Sequence, residues 1–145
     1  MSRGNIRLRY KERIMKIKYP TIEDIINCNI NILKEIRVKK ADQFKILNLQ
    51  KIVNIINDVR KFKGYIYDKA VFLLRSLIQS HAFASGNRRT GLNVMISFLK
   101  LNNININIKK LNDYNVLQGV RESYYSDKEI KEWIKNGKIR KFERF

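Results

Sequence analysis

The residues able to do chemistry in this chain crowd into one stretch, Ser80-His81-Ala82-Phe83-Ala84-Ser85-Gly86-Asn87-Arg88-Arg89-Thr90-Gly91. It holds the only histidine of the sequence. An imidazole exchanges its proton near neutral pH and is the side chain most often used to accept a proton from a hydroxyl. Gly86-Asn87 and the adjacent arginines follow, and a new apolar periodicity begins at once. Gly86 permits a tight turn into a helix. The backbone N–H groups of the first helical turn lack intrahelical acceptors and form an anion site. Arg88 and Arg89 add forked donors that match phosphate oxygens. A proton acceptor beside an anion cradle suits transfer of a phosphoryl-type group, where catalysis is largely positioning and charge stabilisation.

Each feature has a plainer reading on its own. A lone histidine is often a packed polar residue, Gly-Asn an ordinary interhelical turn, and two arginines an exposed surface pair. None of these readings accounts for all the features within nine residues of one another.

The elements that must hold this stretch are helices. Before it, a helix from about Tyr67 to His81 places Ala70, Leu74, Leu77, Ile78 and His81 on one face. After it, Leu92, Met95, Ile96 and Leu99 mark a strongly apolar helix that Asn102-Asn103 ends. Upstream, Pro20-Thr21 opens a helix with Thr21 as N-cap, Glu23 and Asp24 in its first turn, and Ile22, Ile25, Ile26, Leu33 and Ile36 at helical spacing. A second run holds Ile46, Leu49, Ile52, Val53, Ile56 and Val59 and breaks near Lys63-Gly64. Downstream, Ile104, Ile106 and Ile108 alternate with asparagines, the pattern of a short strand or extended connector. A helix is expected over Asp113 to Glu122. Ser126-Asp127-Lys128-Glu129 matches a capping box and opens a last helix with Ile130, Trp133 and Ile134 inward and Gly137 as C-cap. Ile6, Leu8 and Tyr10 alternate with Arg7 and Arg9, leaving room for an edge strand. The fold expected is all-α, a compact bundle of about six helices with room for a short strand or hairpin. It forms one domain over residues 1–145, with a basic N-terminal arm (1–16) and a basic C-terminal tail (138–145).

Composition narrows the setting. With 145 residues and 44% hydrophobic content the chain can build a real core. No apolar run approaches the roughly 18 residues of a membrane span, and no long apolar segment follows the first charges, so neither a membrane partner nor a leader is expected. The single cysteine, Cys28, has no internal disulfide partner and reads as a small apolar filler. These features fit a cytoplasmic protein. The net charge of +18 predicts attraction to something acidic: nucleic acid, a nucleotide or an acidic protein. The competing reading is a solvated lysine-rich surface, in keeping with the abundance of Ile, Lys and Asn.

The segment His81-x-Phe83-x-x-Gly86-Asn87-x-Arg89-Thr90 resembles the signature of the Fic/Doc (Fido) family, His-x-Phe-x-(Asp/Glu)-Gly-Asn-(Gly/Lys)-Arg. Thr90-Gly91-Leu92 looks like the Doc (death-on-curing) branch, and so does the positive charge of Arg88 where that branch has lysine. Tyr19-Pro20-Thr21-Ile22-Glu23-Asp24 is similar to the opening of Doc-like domains. Leu74 to Leu77 and Phe98-Leu99-Lys100-Leu101-Asn102 also fit, so the likeness covers roughly residues 17–137.

The resemblance implies a compact helical fold with the motif between two central helices. It implies His81 as the general base, Phe83 as the anchor of the loop, and Gly86, Asn87 and the following amides as the holders of a nucleotide phosphate. Arg88, Arg89 and Thr90 would complete that phosphate site, with Arg89 neutralising charge during catalysis. ATP or another nucleoside triphosphate is the implied substrate. The wider family transfers AMP; the Doc branch resembles kinases that phosphorylate a hydroxyl of a translation factor, toxins checked by an antitoxin. A basic surface suits an acidic antitoxin tail. A substrate-docking flap is implied around residues 37–66. The family's self-inhibitory helix motif, Ser/Thr-x-x-x-Glu-Gly/Asn, does not occur, which points to control by a separate protein.

The departure is at the acidic position that the family uses to hold Mg²⁺. It is Ser85 here, and no Asp or Glu lies between Asp68 and Asp113. Protein-held Mg²⁺ is therefore weakened, because this ion wants carboxylate or phosphate oxygens. Two further readings stand beside the transferase: a degenerate Fido domain acting as a binding module, and a small basic helical protein that binds nucleic acid through charge alone.

Overall fold

The computed structural model describes residues 16–35, 43–106 and 114–143. Six helices run through them in order: α1 (Ile22–Glu35), α2 (Leu49–Lys61), α3 (Ile66–Gln79), α4 (Asn87–Leu101), α5 (Tyr114–Arg121) and α6 (Asp127–Asn136). The fold is all-α. Among the described residues the only extended pairing is an isolated antiparallel bridge between Ile46 and Phe83.

Local chemistry sets most helix starts. Thr21 and Asp24 satisfy each other: the Thr21 hydroxyl accepts from the Asp24 amide at 3.1 Å, and the Asp24 carboxylate accepts from the Thr21 amide at 2.9 Å. The Asn48 side chain caps α2 by accepting from the Lys51 amide. Ser126 and Glu129 close the capping box expected at α6, and Gly137, at φ 71°, ends that helix.

Burial follows the apolar spacing. Ile25, Ile32 and Leu33 of α1, Ile52, Ile55, Ile56 and Val59 of α2, and Ile130, Trp133 and Ile134 of α6 turn inward. α3 and α4 are buried over most of their circumference and pack against each other more extensively than any other pair. Gly91 permits this approach. A Cβ there would stand 3.0 Å from Cγ1 of Ile78 and 3.3 Å from Cβ of Leu77. The motif therefore sits on the loop of a tightly packed helical hairpin.

Polar contacts tie the later helices to α3. The Arg75 guanidinium bonds Asp127 of α6 and the Tyr125 carbonyl, and Lys131 pairs with Asp68. Lys69 is 3% exposed, and its ammonium donates to the carbonyls of Val59 (2.9 Å) and Phe62 (2.7 Å), closing the C-terminus of α2. It also lies 5.4 Å from the centre of the Tyr19 ring.

Of the two readings of the Ile104–Ile106 stretch, the connector stands and the strand does not: Asn103 takes a positive φ of 63° and the Ile104 amide folds back onto Leu99, so the chain is spent on ending α4. One expectation is corrected. α3 ends at Gln79, so His81 lies beyond the helix and off its apolar face. Ile6, Leu8, Tyr10, Ile36, Ile108 and Asp113 lie outside the described residues.

Candidate active site

The site is built on the loop between α3 and α4. Ser80 still has helical dihedrals, but His81 switches to the left-handed region at φ 51°. Histidine is among the few non-glycine residues enriched there. The switch throws the chain away from the axis of α3 and leaves His81 exposed. Its imidazole makes no hydrogen bond among the described residues, so both ring nitrogens are open to an incoming group.

The next residues run beside the segment that precedes α2. The Leu47 amide donates to the Ala82 carbonyl at 2.8 Å, and the Ala84 amide donates to the Lys45 carbonyl at 2.9 Å. Phe83 points into the core, 2% exposed, with the Phe44 ring tilted over it at 6.3 Å. The Lys51 ammonium donates to the Ser80 carbonyl at 2.7 Å. Burying one large ring while pairing the backbone on either side fixes the loop at its midpoint.

Asn87, the first residue of α4, closes the loop on itself. Its side-chain oxygen accepts from the Phe83 amide at 3.2 Å, and its Nδ2 donates to the Phe83 carbonyl at 2.8 Å. What Asn87 can offer an anion is therefore its backbone N–H. Gly86 caps the helix at φ 78°, and the first bond of the turn runs from the Thr90 amide to the Gly86 carbonyl. The amides of Asn87, Arg88 and Arg89 precede it and have no intrahelical acceptor.

Thr90, expected in the anion cradle, instead turns inward. It is 1% exposed and its hydroxyl accepts from Nδ2 of Asn29 at 3.0 Å. The same Nδ2 donates to the Ser85 carbonyl at 2.9 Å. Asn29 is fully buried on α1, one turn beyond Ile25, and braces the turn from below; its Oδ1 has no hydrogen-bond partner among the described residues. Sequence reasoning missed it. The available signal was an asparagine at a core position of an otherwise apolar helical face.

The arginines lean toward α5. The Arg88 guanidinium donates to Oε1 of Gln118. The Arg89 guanidinium lies over the Tyr114 ring, 4.5 Å from its centre. Spacing within the motif could not reveal either contact.

The donors present do not suit a protein-held Mg²⁺. No group of three or more His, Cys, Asp or Glu side chains converges among the described residues. Ser85 has no carboxylate, its carbonyl is taken by Asn29, and the start of α4 carries positive charge. An anion fits where a cation does not. A groove of about 630 Å³, lined by Phe72, Arg75, Asp127 and neighbours, runs between α3 and α6 and includes no residue of the 80–91 stretch. The candidate chemistry lies on the loop, because the exposed imidazole and the helix-start amides are there and the groove holds none of them.

The fold and this loop define an all-helical protein whose central hairpin presents an exposed imidazole and a helix start rich in anion donors. The chain belongs to the Fic/DOC family, whose model matches residues 14–99, more than half of its length. That family consists of Fido-domain transferases, which in general move nucleotidyl or phosphate groups from nucleoside triphosphates. The match ends within α4, so α5 and α6 lie beyond it. No curated protein and no solved structure matches the chain. No described helix is long and apolar enough to cross a membrane.

Proposed function

We propose that this chain is a Doc-like transferase that moves the terminal phosphate of a nucleoside triphosphate to a protein hydroxyl, as the toxin of a toxin–antitoxin pair. The observation that carries the reading is the loop itself: an unengaged, exposed imidazole at one end and three amides without intrahelical acceptors, flanked by two guanidinium groups, at the other. In this mechanism His81 takes the proton of the target hydroxyl. The target oxygen bonds to the γ-phosphorus as the bond to the departing nucleoside diphosphate breaks. The amides of Asn87, Arg88 and Arg89 hold phosphate oxygens, and the Arg89 guanidinium offsets the charge that develops. Phe83 and the Asn87 side chain keep the loop in shape. The net charge of +18 supports an acidic antitoxin as partner, and a translation factor is the target that the Doc likeness suggests. Transfer of a nucleotidyl group, with attack at the α-phosphorus and loss of pyrophosphate, is the nearest variant.

Ser85 favours a second reading, a Fido domain that binds nucleotide without turning it over. The test is incubation with ATP labelled separately at the α- and γ-phosphates, with a cell lysate as the source of targets. Protein labelled from γ but not α supports phosphate transfer; labelling from α supports the nucleotidyl variant. His81→Ala should reduce transfer by about 10²–10⁴-fold while ATP still binds. Undiminished transfer in His81→Ala refutes the assignment of the base. Ser85→Asp should make transfer more dependent on Mg²⁺. Labelling from neither position, even in Ser85→Asp, supports the binding module.

A further inference from the structure

We infer that Tyr114 and Gln118 of α5 are positioning residues that hold the two guanidinium groups at the start of α4, so that the anion site is built by two helices and not by the motif alone. The inference rests on the phosphate-binding role proposed above. Tyr114 and Gln118 are four residues apart on a helix, hence on one face and one turn apart. Arg88 and Arg89 are consecutive on α4, so their side chains leave that helix about 100° apart. One face of α5 meets both of them, Gln118 accepting from Arg88 and the Tyr114 ring lying under Arg89.

The chemistry of each contact fits a holding role. A ring face attracts a guanidinium while leaving its edge N–H groups free, so an arginine stacked on tyrosine can still present a fork to phosphate. An amide oxygen takes one N–H of Arg88 and leaves the others. Neither partner carries charge, so neither neutralises the arginine it holds. An acid at these positions would have cancelled the positive field, and the helix from Tyr114 to Arg121 carries none. Two free arginines would lose side-chain entropy on binding an anion; arginines already held lose less, which is the sense in which preorganisation raises affinity. Tyr114 and Gln118 lie outside the 14–99 family match, whereas Arg88 and Arg89 lie within it.

The test is a double-mutant cycle read by calorimetric titration with ATP, with melting temperature as the control for fold. Tyr114→Leu should weaken ATP binding about two- to fivefold, the equivalent of one partly exposed cation–π contact. Tyr114→Phe keeps the ring and should bind as the parent protein does. In an Arg89→Ala background Tyr114→Leu should cost nothing further, because its effect runs through that guanidinium. Equal losses in both backgrounds, or an equal loss in Tyr114→Phe, would show a merely structural contribution and overturn the inference. Unchanged affinity in Tyr114→Leu beside weakened affinity in Arg89→Ala overturns it too, while leaving the phosphate site standing. If Arg89→Ala and Arg88→Ala both bind ATP as the parent does, the phosphate reading fails and this inference with it. Should Tyr114→Leu not fold, Gln118→Ala against Arg88→Ala runs the same cycle on the other contact.

Discussion

Replacing Gly86 by alanine strikes the point where the loop becomes a helix, and its cost can be worked from two terms. The backbone is left-handed there, at φ 78°, a conformation that costs an L-residue roughly 1–2 kcal/mol. The new Cβ would also stand 3.1 Å from Nδ2 of Asn29 and 3.2 Å from Cδ2 of Leu33, with Cγ2 of Ile32 at 3.7 Å. Asn29 cannot retreat freely, because its Nδ2 is bonded to both the Ser85 carbonyl and the Thr90 hydroxyl. Crowding of this kind in a packed site costs about 1–3 kcal/mol. The sum is about 2–5 kcal/mol, or a fall in Tm of roughly 10 °C for a domain of this size. Urea denaturation followed by circular dichroism measures it. Gly86→Asn separates the terms, since asparagine tolerates the left-handed region and keeps only the crowding; it should lose less than Gly86→Ala. A Gly86→Ala protein within about 0.5 kcal/mol of the parent, the ordinary range for a neutral surface change, would refute the reasoning. So would equal losses in the two variants.

Four further outcomes are expected. Lys69→Met should cost about 2–3 kcal/mol, because the carbonyls of Val59 and Phe62 lose a charged donor, while Lys69→Arg should cost less; calorimetric melting of both variants checks this. Burial, with a smaller contribution from the charge of Glu35, pushes the Cys28 thiol up to about 11, so native protein should react slowly with iodoacetamide at pH 8. The same shift keeps the thiol protonated in the folded state after the unfolded thiol has ionised, so stability should fall as pH rises from about 9 toward about 11, a fall that Cys28→Ala removes. For Asp68, partial burial raises its pKa, but the Tyr65 amide and Lys131 outweigh it and hold the carboxyl below the ordinary aspartate value. Its contribution should therefore be present near neutrality and be lost as pH falls below about 4 through the folded value; an acid limb identical in Asp68→Asn and the parent protein would contradict this.

Much of the scaffold was legible in the sequence because its causes are local. The Thr21 cap and the Ser126/Glu129 box close within one turn, so residue types at fixed offsets announced them, although the return bond from the Thr21 amide to Asp24 was not foreseen. The apolar faces of α1, α2, α3, α4 and α6 followed from 3.6-residue spacing, and the short helix expected over Asp113 to Glu122 appears as Tyr114–Arg121. The motif was legible in the same way, as residue types in order: His81, a buried Phe83, and Gly86 at a helix start.

What the tertiary structure alone decided is which polar groups these residues meet across long stretches of chain. Asn29 reaches Ser85 and Thr90 from another helix, Arg88 meets Gln118, and Arg89 meets Tyr114. Periodicity states that a residue faces inward or outward, but it does not say what stands opposite. For the same reason an inward Lys69 looks no different from a surface lysine until the carbonyl ends of α2 are brought against it. Thr90 turned away from the cradle, and His81 left the apolar face, because one fills the space beneath the turn and the other stands where the chain leaves its helix. Helix propensity and caps act over a few residues; the pairing of buried polar groups is settled only when the helices pack, since each unpaired group costs about 1–3 kcal/mol and the packing that pairs most of them prevails.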